Sequence, residues 1–286
     1  MSFVIAVHSL RGGTGKTLVS MNLAAVLTKR GFRVAVVDMD LGAPSLQTYV
    51  SNPSKNRINQ FFMNNLDPKE IFQDVTEIID NSAAGKLFIA LGNENAKFIS
   101  AIKDREKQKS LEDLYKLMGL VKDTLPNEPY NADFVILDTS PGFSSDSLNC
   151  VAAADHVILM LRLVNADLGG TGQILETLHS GLKPDTSLIL NQVPRTFIED
   201  EADQYTKKLV KERIIDPISD SKINIAGLIS NDFEVIEKEA EYSMYFLEGV
   251  DAKRPIHVVA NPGGQLAVHI NEIADYIVSK REMRGK

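Results

Sequence analysis

The amino-acid sequence predicts an α/β fold: a mostly parallel sheet of seven or eight strands with helices on both faces. Short runs of apolar and β-branched residues recur along the 286-residue chain, and longer helical patterns separate them. Most of these runs are continuously apolar, which is typical of strands that are covered on both faces. Because strands and helices alternate, we expect right-handed crossovers between parallel strands.

The predicted strands are seven apolar runs: Phe3–Val7, Arg33–Val37, Leu87–Leu91, Asp133–Leu137, His156–Leu161, Ser187–Leu190 and Ile223–Ile229. The first helix is predicted from Lys16 to Arg30, since basic residues and then Gly31 stand at its end. Asp67-Pro68 opens another helix, with an N-cap residue before a proline. The last helix is predicted over Gln265–Arg281 from its apolar spacing.

A helical excursion at the surface is predicted over residues of about 95–128. Its first part carries charges of alternating sign, and its second part places five apolar residues on one face: Leu111, Leu114, Leu117, Met118 and Val121. A partner-binding face is the alternative interpretation. The chain shows no internal repeat and no linker, so we expect residues 1–286 to form a single domain.

Composition restricts the function classes. The net charge of −7 gives no support for non-specific binding of nucleic acid, so strong DNA binding is not expected. The single cysteine, Cys150, excludes an intrachain disulfide and any Cys-x-x-Cys metal or iron–sulfur site. We expect Cys150 to be a small buried thiol.

A cytoplasmic location is expected. The first apolar run has only five residues and no charged segment before it, unlike a signal peptide. No apolar stretch approaches the roughly 20 residues that span a bilayer. The segment Ser279–Lys286 has four cations and one methionine, too little apolar area to hold a membrane alone. A solvated tail is the preferred interpretation, and peripheral membrane attachment or contact with DNA phosphates stays open.

A glycine-rich segment follows the first strand. Residues 9–17 read Ser-Leu-Arg-Gly-Gly-Thr-Gly-Lys-Thr. Three of them lack a Cβ atom, which lets the backbone curl and point several N–H groups at one anion: Gly12, Gly13 and Gly15. The next helix adds its positive dipole end, Lys16 a cation for the β- and γ-phosphates, and Thr17 a hydroxyl for Mg²⁺. The segment predicts a nucleoside triphosphate site, against the alternative of a connecting turn.

Carboxylates follow two of the predicted strands. Asp38 and Asp40 come directly after the second strand, and Asp138 follows the Asp133–Leu137 run. Two carboxylates two residues apart can address one Mg²⁺ or one water, and an acid after an apolar strand is the Walker B arrangement. Each acid alone could be a helix cap or a turn residue. The glycine-rich segment and the two acidic segments in one chain together favour a site that holds a metal and a water.

The segment Arg11–Thr17 resembles the deviant Walker A box of the MinD/ParA family of ATPases. Leu10 stands where a general P-loop has its first glycine, and Arg11 stands where the family has its signature lysine. Further segments follow the family order, and the MinD-type proteins are the nearest match: Asn22-Leu23-Ala24, Val37-Asp38-Met39-Asp40, residues 136–142, residues 188–193 and residues 225–232.

The resemblance implies a role for each residue of the site. The phosphates would be wrapped by Gly12, Gly13, Thr14, Gly15, Lys16, Thr17 and Leu18. Thr17 would bind Mg²⁺ directly, and Asp38 and Asp138 would hold it through waters. Asp40 would position the attacking water, while Lys16 and Arg11 stabilise phosphate charge. Asn191 would hydrogen-bond adenine, for which a turn residue is the alternative interpretation.

The resemblance further implies a Mg²⁺-ATP-dependent switch. Two subunits would close over two nucleotides as a homodimer, and hydrolysis to ADP and phosphate, slow without an activating protein partner, would reopen them. The output would be positioning of a division site, a chromosome or plasmid, or a surface apparatus. Two alternatives stay open: an ATP-dependent small-molecule ligase of the dethiobiotin-synthetase type, and a nucleotide-binding regulator without hydrolysis if Arg11 has lost its contact across the dimer.

Overall fold

Eight strands form one sheet in the order β3-β4-β2-β5-β1-β6-β7-β8. The computed structural model describes residues 1–199, 201–218 and 223–285, without the side chains of residues 102–108. The strands are β1 (Phe3–His8), β2 (Arg33–Met39), β3 (Phe72–Asp74), β4 (Lys86–Ala90), β5 (Phe134–Thr139), β6 (His156–Arg162), β7 (Thr186–Val193) and β8 (Ile223–Ser230). Every neighbouring pair is parallel except β3 with β4.

The predicted α/β fold is therefore confirmed, and each of the seven predicted runs lies in a strand. The additional strand, β3, pairs Phe72 with Ala90 in antiparallel register at the edge of the sheet. Three residues are too few to produce a recognisable alternation, which is why the sequence pattern does not predict β3.

Ten helices lie within the described ranges: α1 (Lys16–Lys29), α2 (Ile58–Asn64), α3 (Pro68–Ile71), α4 (Ala96–Gly119), α5 (Ser145–Ala153), α6 (Asn165–Gly181), α7 (Ala202–Val210), α8 (Phe233–Leu247), α9 (His257–Ala260) and α10 (Gln265–Arg284). Helix α1 begins at Lys16, as the glycine-rich segment predicts. The helix opened by Asp67 is short and ends at Ile71, and α10 extends three residues beyond the predicted end.

Two apolar clusters cover the two faces of the sheet. Val4 and Ala6 of β1 lie in one cluster, and Ile5 and Val7 lie in the other. The first cluster includes side chains from α4, α5 and α6, among them the buried free thiol of Cys150. The second includes side chains from α1 and α10. Because both faces are covered, the strands can be continuously apolar.

The segment predicted as a surface excursion is partly core. Helix α4 continues into a wider helical turn over Leu120–Thr124. Leu117 and Val121 are fully buried, whereas Leu111 and Met118 are exposed, so the five apolar side chains do not share one buried face. The predicted charged run reaches into residues 102–108, whose side chains lie outside the described ones.

The end of α10 is held to the sheet instead of forming a solvated tail. Its cations pair with the aspartates that immediately precede β7, β5 and β6: Lys280 with Asp185, Arg281 with Asp133, and Arg284 with Asp155. Lys286, the fourth cation of the segment Ser279–Lys286, lies outside the described residues. Within the described ranges, no helix combines the length and the apolar character that crossing a bilayer requires.

Candidate nucleotide site

The loop between β1 and α1 forms a cradle of backbone N–H groups. Gly13 and Gly15 have φ angles of +75° and +90°, a left-handed conformation that favours glycine. A Cβ atom on Gly15 would also lie 2.3 Å from Nδ2 of Asn191. Helix α1 has no side chain hydrogen-bonded at its N-cap, so its first N–H groups are available to an anion.

One side chain of the cradle is suited to a phosphate. The ammonium of Lys16 is buried and donates to Oγ of Ser9 over 3.0 Å. Burial lowers the pKa of Lys16, and the facing carboxylates of Asp138 and Asp40 raise it. Lys16 also lines the cleft, whereas the buried hydroxyl of Thr14, which has no hydrogen-bond partner among the described residues, does not. A partly desolvated cation at the start of a helix is an arrangement that a bound phosphate would complete.

Thr17 and Asp138 adjoin this cradle. The hydroxyl of Thr17 donates to Oδ2 of Asp138 over 2.7 Å, and the hydroxyl of Ser20 donates to Oδ1 over 3.0 Å. The Ser45 hydroxyl lies 3.3 Å from that of Thr17. Burial raises the pKa of Asp138 to about 6, although Thr17 and Lys16 act in the opposite direction. A nearby cation would therefore stabilise the ionised form of Asp138.

Asp38 lies directly opposite Asp138 on the neighbouring strand. Their Cα atoms are register partners between β2 and β5. Burial, and then the charges of Asp138 and Asp40, raise the pKa of Asp38 well above its ordinary value. The backbone N–H groups of Leu46 and Gly92 donate to Oδ2 of Asp38, each over 3.4 Å. Two buried carboxyls beside a threonine hydroxyl are hard oxygen ligands of the kind that suit Mg²⁺.

Among the described residues, no three His, Cys, Asp or Glu side chains converge to hold a metal alone. A magnesium ion here would need phosphate oxygens and waters to complete its shell, as Mg²⁺ at phosphate sites usually does. The geometry therefore fits a metal that arrives with a nucleotide.

Asp40 faces the cleft instead of the carboxyl pair. It lies in the turn after β2, where the N–H of Ala43 donates to its Oδ1 over 3.2 Å. Burial raises its pKa, and hydrogen bonds from the turn and the charge of Lys16 lower it. The cleft has a volume of about 800 Å³. Its walls come from the cradle, the ends of β7 and β8, helix α8 and α10, and include Gly13, Lys16, Asp40, Asn191, Asp232, Ile236 and Leu266.

Comparison with known proteins shows the family. Residues 2–187 match the family model described as an AAA domain. The chain is 26% identical over 201 residues to the sporulation initiation inhibitor protein Soj of Bacillus subtilis, covering 70% of this chain and 74% of Soj. It is 27% identical over 190 residues to an uncharacterised ATP-binding protein of Methanocaldococcus jannaschii, covering 66% of this chain and 62% of that protein.

The chain belongs to the MinD/ParA family of P-loop ATPases. Its fold agrees with a solved structure of the septum site-determining protein MinD from Pyrococcus horikoshii, complexed with Mg-ADP. The two have a TM-score of 0.69 at 19% identity, over 97% of this chain and 96% of that one.

Asn191, expected to read adenine, contacts the cradle. Its Nδ2 donates to the carbonyl of Thr14 over 2.8 Å, and its Oδ1 accepts from the N–H of Gln192 over 2.8 Å. The side chain also lines the cleft. In this MinD/ParA chain, Asn191 therefore braces the phosphate loop, and contact with a base stays a prediction.

Arg11 lies at the rim of the cradle. Its side chain is 55% exposed, and its Nε is 3.9 Å from Oδ1 of the buried Asp167. Arg162 at the end of β6 holds the same carboxylate through Nε over 2.8 Å and Nη2 over 3.3 Å. The sequence pattern does not single out Arg162 or Asp167, because only the fold brings them beside residue 11.

Proposed function

We propose that this chain is a Mg²⁺-ATP-dependent ATPase switch that closes as a homodimer over ATP and reopens after hydrolysis to ADP and phosphate. One observation carries the proposal: the cradle around Lys16 lies beside the two buried, register-paired carboxyls of Asp38 and Asp138. An anion site next to a carboxylate pair suits a magnesium-bound polyphosphate.

The chain's own residues divide the work. The loop N–H groups and Lys16 bind and orient the triphosphate. Thr17 would hold Mg²⁺ directly, with Asp38 and Asp138 behind it through waters. Bound Mg²⁺ supplies neutralisation of the phosphate charge. Asp40, with its raised pKa and its place in the cleft, would orient the attacking water. Arg11 would stabilise the partner subunit's phosphates.

Spatial positioning is the proposed cellular output. Two similar proteins, a sporulation initiation inhibitor and a septum site-determining protein, support it. We propose a cytoplasmic location and an activating protein partner. Three cations of α10 are ion-paired with aspartates, so contact of these cations with lipid or DNA phosphates would have to compete with those pairs.

The test combines binding, turnover and assembly. Calorimetry with ATP and Mg²⁺ should give binding that Lys16→Ala abolishes and Lys29→Ala leaves intact. Phosphate release should require Mg²⁺, and light scattering should show an ATP-dependent dimer. ATP bound without phosphate release would favour the regulator alternative. Turnover that requires a carboxylate or amine co-substrate would favour the ligase.

A further inference from the structure

Helix α8 contacts the protein through the half-buried side chain of Val235 and through two glutamates. Glu239 accepts from Nε of Arg254 over 2.8 Å and pairs with the His257 ring over 2.8 Å. Glu234 accepts two hydrogen bonds from the amide of Asn261, over 2.8 and 2.7 Å. None of the 15 residues of α8 is buried. A surface helix normally buries a row of apolar side chains against the protein, and α8 leaves most of its own exposed.

The outward side of α8 is apolar. Five residues at a spacing of three or four make up what we call the α8 stripe: Phe233, Ile236, Ala240, Met244 and Leu247. At 100° per residue they fall within an arc of about 80°. The large members are exposed by 74%, 47%, 52% and 74% in chain order. Scattered exposed apolar residues are ordinary, but a continuous helical row marks an interaction surface.

Negative charge lines one edge of the stripe. The segment from Asp232 to Asp251 contains seven acidic residues and one lysine, Lys238, which pairs with Glu241. Glu237, Glu241 and Glu248 follow one edge of the stripe at helical spacing, and all three are exposed. A partner with the complementary pattern would carry lysine or arginine beside its own apolar row.

We propose that the α8 stripe is the docking surface for an amphipathic, basic helix of a partner protein. The apolar row supplies the contact area, and the glutamate edge sets the register and orientation of the incoming helix. A second copy of the chain fits less well, because α8 against α8 would add the same negative charge on both sides in a chain of net charge −7. An anionic lipid surface is repelled for the same reason.

The stripe is continuous with the nucleotide site. Ile236 belongs to the stripe and also lines the cleft, together with Val235 and Glu239 of the same helix. A helix docked on the stripe therefore covers one wall of the cleft. The docking surface itself does not depend on the proposed ATPase activity, so it is tested without nucleotide.

The probe is a synthetic helical peptide of about 18 residues, with a leucine row at matching spacing and lysines along both edges. Its control replaces every lysine with glutamate. Fluorescence anisotropy measures the affinity of both for the full chain. We expect the basic peptide to bind at least about tenfold more tightly than the acidic one.

Two variants of α8 test the location, Met244→Ser with Leu247→Ser and Glu237→Lys with Glu248→Lys. Each should lower the affinity for the basic peptide by about tenfold or more, and the charge reversal should raise the affinity for the acidic peptide. The control, Leu182→Ser with Glu176→Lys, alters a half-exposed leucine directly after α6 and an exposed glutamate of α6, and should change affinity by less than about twofold. Circular dichroism verifies folding. Equal affinity across all variants would overturn the proposal.

Other occupants give distinct results. A nucleotide-free dimer in sedimentation of the wild-type chain, dissociated by Met244→Ser with Leu247→Ser, would assign the stripe to a second copy. Flotation with vesicles of equal parts phosphatidylcholine and phosphatidylserine, lost in the same variant, would assign it to a membrane. Either result would overturn the proposal. A monomer that does not float and binds the basic peptide supports it.

Discussion

Asp38 and Asp138 face each other on adjacent parallel strands, and each is 1% exposed. Burial raises the pKa of both carboxyls, and each is also raised by its acidic neighbours. The chain thus keeps two acids in a place where an ionised carboxylate is unfavourable without a cation. Such a pair lowers the stability of the free protein and is useful only when a cation binds.

Asp138→Asn should stabilise the nucleotide-free chain. The amide keeps the shape of the carboxyl and can still bond with the hydroxyls of Thr17 and Ser20, but carries no desolvated charge. With EDTA at pH 7.5 we expect a gain on the order of 2 kcal/mol, or a few degrees of Tm. Differential scanning fluorimetry checks it. Addition of Mg²⁺ and ATP should raise the Tm of the wild type and not of the variant; an equal rise in both would contradict a metal role for Asp138.

Asp40→Ala should separate binding from hydrolysis. Asp40 lies in the cleft outside the Asp38–Asp138 pair, so its removal leaves the residues proposed for Mg²⁺ intact. We expect ATP affinity by calorimetry within about threefold of wild type and a fall in phosphate release of about 100-fold or more. The variant should accumulate as an ATP-bound dimer in size-exclusion chromatography. Hydrolysis at the wild-type rate would move the water-positioning role to another residue.

Acid should destabilise the chain through His8. Burial, and then the charge of Lys16, lower the pKa of His8 to about 4. Its Nδ1 lies 2.8 Å from the Thr139 hydroxyl, which itself donates to the carbonyl of Val7, so the neutral ring donates here. Between about pH 6.5 and 4 the unfolded chain binds a proton at His8 that the folded chain does not. The contribution of the neutral His8 ring to the free energy of unfolding is therefore present above pH 6.5 and is lost as the pH falls toward 4.

His8→Asn should flatten that dependence, because the asparagine amide can still donate to Thr139 and does not titrate. Urea unfolding at pH 7.5 and pH 5 measures the change. The loss on acidification should be smaller in the variant by on the order of 2 kcal/mol. The same loss in both proteins would assign the acid sensitivity to other groups.

Local patterns were sufficient for the fold and for the phosphate loop. Residues 9–17 are contiguous, so their glycines and Lys16 come together in one loop whatever the rest of the chain does. Asp38 and Asp138 lie near the ends of β2 and β5, and Asp40 follows β2. Their proximity was predictable because parallel strands end at the same edge of a sheet.

Contacts that depend on side-chain direction were not predictable. The amide of Asn191 in β7 contacts Thr14 in the loop after β1, and Arg162 at the end of β6 contacts Asp167 of α6. These residues are far apart in the sequence, and only the folded sheet brings the ends of β1, β6 and β7 together. Helix α8 shows the same limit. The sequence analysis does not single out its apolar row, and only the exposure of Phe233, Met244 and Leu247 in the fold shows that this row faces outward.

Asn191→Ala should weaken the binding of every nucleotide. Because Asn191 holds the carbonyl of Thr14, its loss should loosen the loop and lower the affinities for ATP and GTP together, by about tenfold. Calorimetry with both nucleotides checks it. Asn231→Ala, at another amide that lines the cleft, is the control and should change affinity little. A loss confined to ATP would instead support the contact with adenine that the family resemblance implies.

Arg11 should act on the nucleotide of the opposite subunit. Arg162 occupies both oxygens of Asp167, so the 3.9 Å contact of Arg11 with that carboxylate is loose and Arg11 is largely exposed. A guanidinium is always charged and can bind two phosphate oxygens at once. An arginine supplied in trans contributes on the order of 10³-fold or more to phosphoryl transfer. Arg11→Ala should therefore slow hydrolysis by about that factor and leave ATP affinity unchanged.

Mixed dimers show whether the action is in trans. An Arg11→Ala subunit is combined with a Lys16→Ala subunit that does not bind nucleotide. In the mixed dimer, the only nucleotide lies on the Arg11→Ala chain and faces an intact Arg11 from its partner. Phosphate release above that of either homodimer is expected, since the missing guanidinium is restored across the interface. Absence of recovery, with an Arg11→Ala homodimer as active as wild type, would leave Arg11 without a catalytic role.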